Sequence, residues 1–196
     1  MQLLEALNWR YAVKRMNNGK VPQEQVERIL EAVRLSPSAY GLQPYTVFHI
    51  EDEVLKAKIR KAALDKPQIT ECSHLLVFAS WDNVTMEHVN NYLNFVSDVR
   101  NVSIDKLDKL SSHIIEFVES RTQQEKYEWA VRQTYLTLGT AIVAAALEKV
   151  DSIPIEGFLP DEVDNILNLH EKGLRSVALL ALGYRDEEND LLARAK

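Results

Sequence analysis

Three short stretches of this sequence combine residue types suited to small anionic or flat ligands. Arg10 and Lys14 are four apart, so on a helix they would share a face and grip one anionic group from two heights. The competing reading is a solvated cluster with Arg15 and Lys20 near a helix C-terminus, where cations are favourable in any case. Ser36-Pro37-Ser38-Ala39 puts hydroxyls and open backbone N–H groups where a helix has to stop before a Pro- and Gly-containing loop. That is a ligand-binding edge or an ordinary helix stop. Ile153-Pro154-Ile155-Glu156-Gly157 can bring main-chain N–H groups close to a flat ligand, because Gly157 has no side chain and Pro154 fixes the approach. An ordinary tight turn has the same composition.

Other chemistries find few residues to work with. The glycines at 19, 41, 139, 157, 173 and 183 are too scattered for a dinucleotide or phosphate-binding loop. His49, His74, His88, His113 and His170 show no H-x-x-x-H spacing, and there is no G-x-S-x-G elbow, so metallo-hydrolase and serine-hydrolase readings fail. Each histidine reads as a surface or satisfied interior residue. Cys72 stands alone, so it can neither form an internal disulfide nor supply a Cys-rich zinc site. It reads as a small buried residue in a reducing compartment.

The elements that must hold these stretches follow from periodicity. Leu3, Leu4 and Leu7 begin a helical pattern within residues 2–16, ending in Arg10-Tyr11-Ala12-Val13-Lys14-Arg15-Met16. Val26, Ile29, Leu30 and Val33 define a second helix opened by Pro22. Tyr45–Ile50, His74–Ser80 and Leu174–Gly183 read as strands, the second apolar enough to be covered on both faces. Further helices are expected over 51–64, 85–100, 103–121 and 160–169. The segment from Glu125 to Val150, rich in alanine and apolar nearly all round, should be the buried central helix. Residues 150–158 form a turn or short strand. Helices and strands do not alternate regularly, which favours α+β over a doubly wound sheet. With 196 residues, 46% of them hydrophobic and 27% charged, the chain is expected to be one globular domain over 1–196.

Twenty-three Lys and Arg against 29 Asp and Glu leave a net charge of −6, which argues against nucleic acid or an anionic membrane as partner. The apolar run Ala141–Leu147 is too short to span a bilayer. The opening Met1-Gln2-Leu3-Leu4-Glu5 has no secretory pattern, and the expected location is cytoplasmic.

Four blocks in order, Arg10-Tyr11-Ala12-Val13-Lys14, Ser36-Pro37-Ser38-Ala39 with Gln43-Pro44-Tyr45, Ser73-His74-Leu75-Leu76-Val77-Phe78, and Ile153-Pro154-Ile155-Glu156-Gly157-Phe158, resemble the nitroreductase family. The closing Leu182-Gly183-Tyr184-Arg185 is similar too. The resemblance implies an α+β fold with a mixed central sheet flanked by helices and an intertwined homodimer with one FMN per subunit at the interface. It also implies use of NADH or NADPH to reduce FMN, then ping-pong reduction of an acceptor such as a nitroaromatic or quinone. An alternative is a flavin-binding protein of the same fold with little turnover.

By the same resemblance, Arg10 would hold the FMN phosphate and Lys14 the N1 and O2 edge of the ring, where a cation stabilises reduced flavin. Pro37, Ser38 and Ala39 would reach the flavin from the other subunit. Pro154, Ile155, Glu156 and Gly157 would line one ring face, with a backbone N–H of Glu156 or Gly157 near N5. Tyr11, Gln133 and Lys196 complete the expected cofactor contacts, and Tyr92 and Phe95 are candidate walls for the acceptor. Three positions depart from the family pattern: Ala12 replaces a serine, Gly41 an asparagine and Gln68 a basic residue. The pattern also has an arginine beyond Lys196 that this sequence lacks. No nucleophile and base pair is present, and flavin hydride chemistry needs none from the protein.

Overall fold

The computed structural model describes residues 2–194, with the side chain of Arg194 left aside; Lys196 lies outside the described residues. The chain opens with α1 (Leu3–Trp9) and α2 (Gln23–Arg34). Strand β1 (Tyr45–Ile50) is followed by α3 (Glu53–Ala62), α4 (Gln68–Glu71) and strand β2 (His74–Trp81). A helical excursion follows, comprising α5 (Met86–Arg100), α6 (Asp108–Glu119) and α7 (Gln123–Leu147). Strand β3 (Asp151–Ile155), α8 (Pro160–Leu167) and strand β4 (Leu174–Gly183) complete the core.

The four strands lie in the order β1-β2-β4-β3, and every neighbouring pair is antiparallel. The sheet is therefore not mixed among the described residues. The reason is where the connections run: α3 and α4 begin and finish at one end of the sheet, and α8 begins and finishes at the other. The β1–β2 and β3–β4 pairs thus reverse direction, as short same-end connections require. The edge position of β3 lets it carry Pro154, whose missing N–H would break the ladder of a central strand.

Alternation divides the sheet into two faces. Ile50, Leu75, Val77, Leu179, Ala181, Ile153 and Ile155 face α3, α4 and α8 in one cluster. Leu76, Phe78, Ala178, Leu180 and Leu182 face α2 and α7 in another. β2 is buried along its length except at Trp81, as its continuous apolar run predicts. α5 and α6 build a satellite cluster around Val89, Leu93, Ile114 and Phe117.

α7 departs from its sequence reading. Four of its five alanines are buried, with Ala130, Ala141 and Ala145 fully covered, but Ala144 is half-buried and Tyr135, Leu136 and Leu147 stand exposed. An apolar groove of about 440 Å³ runs along it, lined by Ala32, Gly139, Val143, Ala144 and Leu147. The helix is central, and one of its apolar sides is uncovered within this chain. No helix among the described residues is long and apolar enough to cross a membrane.

Candidate functional site

The first helix stops earlier than its pattern. Arg10 donates its N–H to the Ala6 carbonyl, the last helical bond, and then turns extended with φ −75° and ψ 146°. The next N–H groups are taken by side chains instead of by carbonyls four residues back. Lys14 N–H donates to Asp190 at 2.7 Å, Arg15 N–H to the same carboxylate at 3.4 Å, and Met16 N–H to Glu71 at 3.0 Å. Arg10 and Lys14 therefore do not share a helix face. They lie on an extended segment whose shape is set by two carboxylates distant in sequence.

Asp190 is buried and also accepts the Tyr11 hydroxyl at 3.2 Å. Burial alone would raise its pKa, but the N–H groups of Lys14, Leu192 and Arg15 and the Tyr11 hydroxyl hold it below the ordinary carboxylate value. The same surroundings push the Tyr11 phenol up to about 12, through burial first and the Asp190 charge second. Arg185 locks the other side. It forms a forked pair with buried Asp151, with Nη2 to Oδ1 at 2.6 Å and Nε to Oδ2 at 3.0 Å. Its guanidinium lies 4.4 Å from the Trp9 ring centre and 4.7 Å from that of Tyr11. A cavity of about 520 Å³ borders Trp9, Asp151 and Arg185; its lining is this anchoring apparatus and includes neither Gln68 nor Gly157.

Two of the stretches singled out by sequence meet in one hydrophobic cluster, with α4 between them. Val13 and Met16, Ile69 and Cys72, and Ile155 and Phe158 share it, with Tyr11 and Ala12 packed against it. Gln68, at the start of α4, is buried, and its Oε1 has no hydrogen-bond partner among the described residues. Lys66 was not singled out from the sequence. Its ammonium donates to the Gly157 carbonyl at 2.6 Å, tying the start of α4 to the turn after β3. Only its place two residues before Gln68 pointed to it. Glu156 and Gly157 are exposed and Pro154 half-buried. Cys72 is buried, and burial pushes its thiol up to about 12, so it is no nucleophile.

The remaining predicted residues gather elsewhere. Ala39 N–H donates to Gln133 Oε1 at 2.8 Å, Gln43 N–H to Ser38 Oγ at 2.8 Å, and the Tyr92 hydroxyl to the Tyr40 carbonyl at 2.6 Å. Gly41 has φ +75°, and Tyr40 and Gln43 are also left-handed, at +59° and +46°. Glycine and asparagine are the residues that adopt this conformation most readily, so Gly41 in place of asparagine conserves the backbone. Tyr40 packs edge-on to Phe117 at 6.0 Å, whereas Phe95 is exposed.

Helix α7 connects the two groups. Gln133 reaches the 38–43 loop, and the Tyr135 hydroxyl lies against Glu156, which together with burial raises its pKa to about 12. Two residues apart on a helix are about 200° apart around its axis. The two groups thus sit on opposite sides of α7: one brings together 10–16, 66–69 and 154–158, the other 37–43 and Gln133.

The family model described as "Nitroreductase family" matches residues 7–184. A Staphylococcus aureus protein named "Putative NAD(P)H nitroreductase" is 32% identical over 95% of this chain and 87% of its own length. Among solved structures, a Bacillus subtilis nitroreductase-type protein, ydfN, superposes with a TM-score of 0.85 at 22% identity, over 94% of this chain and 89% of its own. An Exiguobacterium sibiricum protein, solved as a "putative nitroreductase in complex with FMN", gives 0.80 at 19% identity, with 94% and 89% covered.

Proposed function

Because this chain belongs to the nitroreductase family, we propose that it is an FMN-dependent NAD(P)H oxidoreductase working as a cytoplasmic homodimer on a small acceptor such as a nitroaromatic or quinone. The observation that carries this reading is Gln68 Oε1. A buried acceptor without a partner costs about 1–3 kcal/mol, and it lies in a stretch that packs with the 10–16 and 154–158 segments. A flavin ring supplies an N–H donor of the kind it needs, so the residues present fit the cofactor.

Bound FMN would supply the hydride chemistry that links NAD(P)H to the acceptor, for which the proposed order is ping-pong. The chain's own residues bind and orient. Arg10 holds the phosphate by charge-assisted hydrogen bonds. Lys14 would offer its cation to the bound ring, and Lys66, which fixes the carbonyl of Gly157, would add a second positive charge. Fixed cations in a partly dry site stabilise negative charge that builds on reduction. Pro154, Ile155, Glu156 and Gly157 would line the bound ring, and a backbone N–H of Glu156 or Gly157 would donate to it.

The second group, Pro37, Ser38, Ala39 and Gly41 with Gln133, completes the site from the partner subunit. This accounts for its position across α7 from the first group. It also accounts for the apolar surface that α7 and α1 leave open: Leu3, Leu4, Leu7, Leu136 and Leu147 are all exposed. A patch of that kind marks an interface. The α5–α6 excursion, with Tyr92 and Phe95, then walls the acceptor side.

The test is the visible spectrum of the purified protein with added FMN, followed by NADH and then NADPH. Flavin bands that bleach establish the reductase and name its donor. Bands that persist would leave a flavin-binding protein with little turnover, and no flavin binding would refute the proposal. Steady-state lines that stay parallel as the acceptor is varied support the ping-pong order, whereas intersecting lines contradict it. Sedimentation as a folded monomer would refute the shared site.

A further inference from the structure

We propose that His49, Glu51 and His74 form a binding site for a divalent transition-metal ion of the zinc type. Nothing in this inference depends on the flavin reading.

The sheet register brings the three together. His49 lies opposite Leu76 and Ile50 opposite Leu75, so continuing the ladder sets Glu51 opposite His74. His49 and Glu51 are two apart and share a face. His74 shares that face with Leu76, on the α2 side of the sheet. In linear sequence the only hint is His49-Ile50-Glu51, which by itself is unremarkable; the third donor comes from strand pairing.

The donor atoms converge. His49 Nε2 is 2.7 Å from His74 Nδ1, and Glu51 reaches both, with Oε1 3.7 Å from His49 Nε2 and Oε2 3.7 Å from His74 Nδ1. All three ligand atoms fall within 4.8 Å of one another. Bonds of about 2.0–2.2 Å to zinc place neighbouring ligand atoms roughly 3–3.5 Å apart. The nitrogens need to part slightly and the carboxylate to close slightly. Glu51, whose side chain is 60% exposed, is free to do so.

The site has a built outer shell. His74 is buried, and its Nε2 faces the Val21 carbonyl at 3.3 Å. The carbonyl can only accept, so Nε2 carries the proton and Nδ1 presents its lone pair to the cluster. Val21 is itself held, its N–H donating to Ser73 Oγ at 2.9 Å. A carbonyl that orients the far nitrogen of a ligand histidine is the usual support of a metal-bound imidazole. Without metal, the Nε2–H of His49 occupies the Nδ1 lone pair of His74. An ion takes the place of that hydrogen bond when the single ring proton of His49 moves from Nε2 to Nδ1, leaving the Nε2 lone pair to bind with no net change in protonation.

Two imidazoles and a carboxylate suit zinc, copper or nickel and disfavour magnesium or calcium, which take oxygen ligands. The site lies where β1 ends and β2 begins, while Glu156 and Gly157 follow the far end of β3 at the opposite edge of the sheet. A metal there fastens β1, β2 and the 20–22 loop and stays apart from the residues assigned to the flavin.

The experiment uses the full-length protein as purified, stripped with a chelator and then titrated with Zn²⁺ against a chromophoric zinc chelator. One equivalent per chain is expected, with a melting temperature that rises on Zn²⁺ addition. His49→Gln should abolish both effects. Glu51→Gln should weaken binding by about tenfold or more. His170→Gln, at the separate Asp161, Asp164 and His170 cluster, should change nothing. His74→Gln should also abolish binding; if it fails to fold, His49→Gln and Glu51→Gln decide the matter. No retained Zn²⁺, or an equivalent that survives in His49→Gln, would overturn the site and leave the two histidines as a hydrogen-bonded pair only.

Discussion

The two halves of the candidate site are held in place by different forces. Residues 10–16 are fixed by charge: Asp190 and Glu71 take their N–H groups, and the Arg185–Asp151 pair clamps Trp9 and Tyr11 from beside them. Residues 37–43 are fixed by neutral hydrogen bonds and a backbone pushed into the left-handed region at three positions. A buried ion pair fails severely when one partner is removed, because the other charge stays buried and unpaired. A strained neutral loop fails locally. The 10–16 half is therefore built to be rigid with the core, and the 37–43 half can vary without unfolding the chain.

The sharpest way to break this contrast is Arg185→Leu, which leaves the buried Asp151 carboxylate uncompensated. We expect a loss of about 3–5 kcal/mol in urea unfolding, with much of it recovered by Asp151→Asn in the same chain. A loss below about 1 kcal/mol would show that the clamp is not what holds Trp9–Tyr11. Next in size is Arg10→Ala, which should remove the phosphate contact proposed for Arg10, on the order of 1.5–3 kcal/mol, or roughly 10- to 150-fold in FMN affinity. Flavin fluorescence titration measures it, and unchanged affinity would remove Arg10 from the site.

The rigid half was also the harder one to foresee. Strand Leu174–Gly183, strand β2 and the stop of α2 at Arg34 were legible because burial, alternation and proline act locally. The end of α1 was not, since the carboxylate that redirects Lys14 N–H is 176 residues away in sequence. The same holds for Lys66 on Gly157, 91 residues apart, and for the His49, Glu51 and His74 cluster, which exists only through strand register. The left-handed residue at Gly41 was open to reading from residue type, as glycine and asparagine both tolerate it. The exposed side of α7 was misread because an apolar helix looks the same in sequence whether or not its own chain covers every side of it.

In the strained half, Gly41→Ala probes the loop directly. An alanine Cβ there would come within 2.8 Å of the Tyr92 hydroxyl, and the left-handed conformation costs an L-residue about 1–2 kcal/mol. The expected result is a loss of that order, seen as faster proteolysis at residues 38–43, with the extended 10–16 segment still protected in hydrogen exchange. Loss of protection at both places would mean the halves are one cooperative unit and the contrast is false.

The smallest effect concerns His88, which supports the excursion that carries Tyr92. Its ring stacks on Trp81 with centroids 4.0 Å apart, and its Nδ1 accepts the Thr85 N–H at 3.2 Å, while its own N–H donates to Thr85 Oγ1 at 3.3 Å. This reciprocal cap of α5 needs an unprotonated Nδ1. Burial lowers the pKa of His88 below the ordinary value near 6.5. A depressed histidine binds its proton later in the folded state than in the unfolded one, so its contribution is intact above about pH 6.5 and declines as pH falls below that. Hydrogen exchange at the start of α5 should quicken from pH 7.5 to 5.5 after correction for intrinsic rates. His88→Gln, which keeps an acceptor at the same helix position and cannot titrate, should flatten that dependence while preserving the cap. An unaltered pH dependence in the variant would assign the effect to another group and detach His88 from the stability of this half.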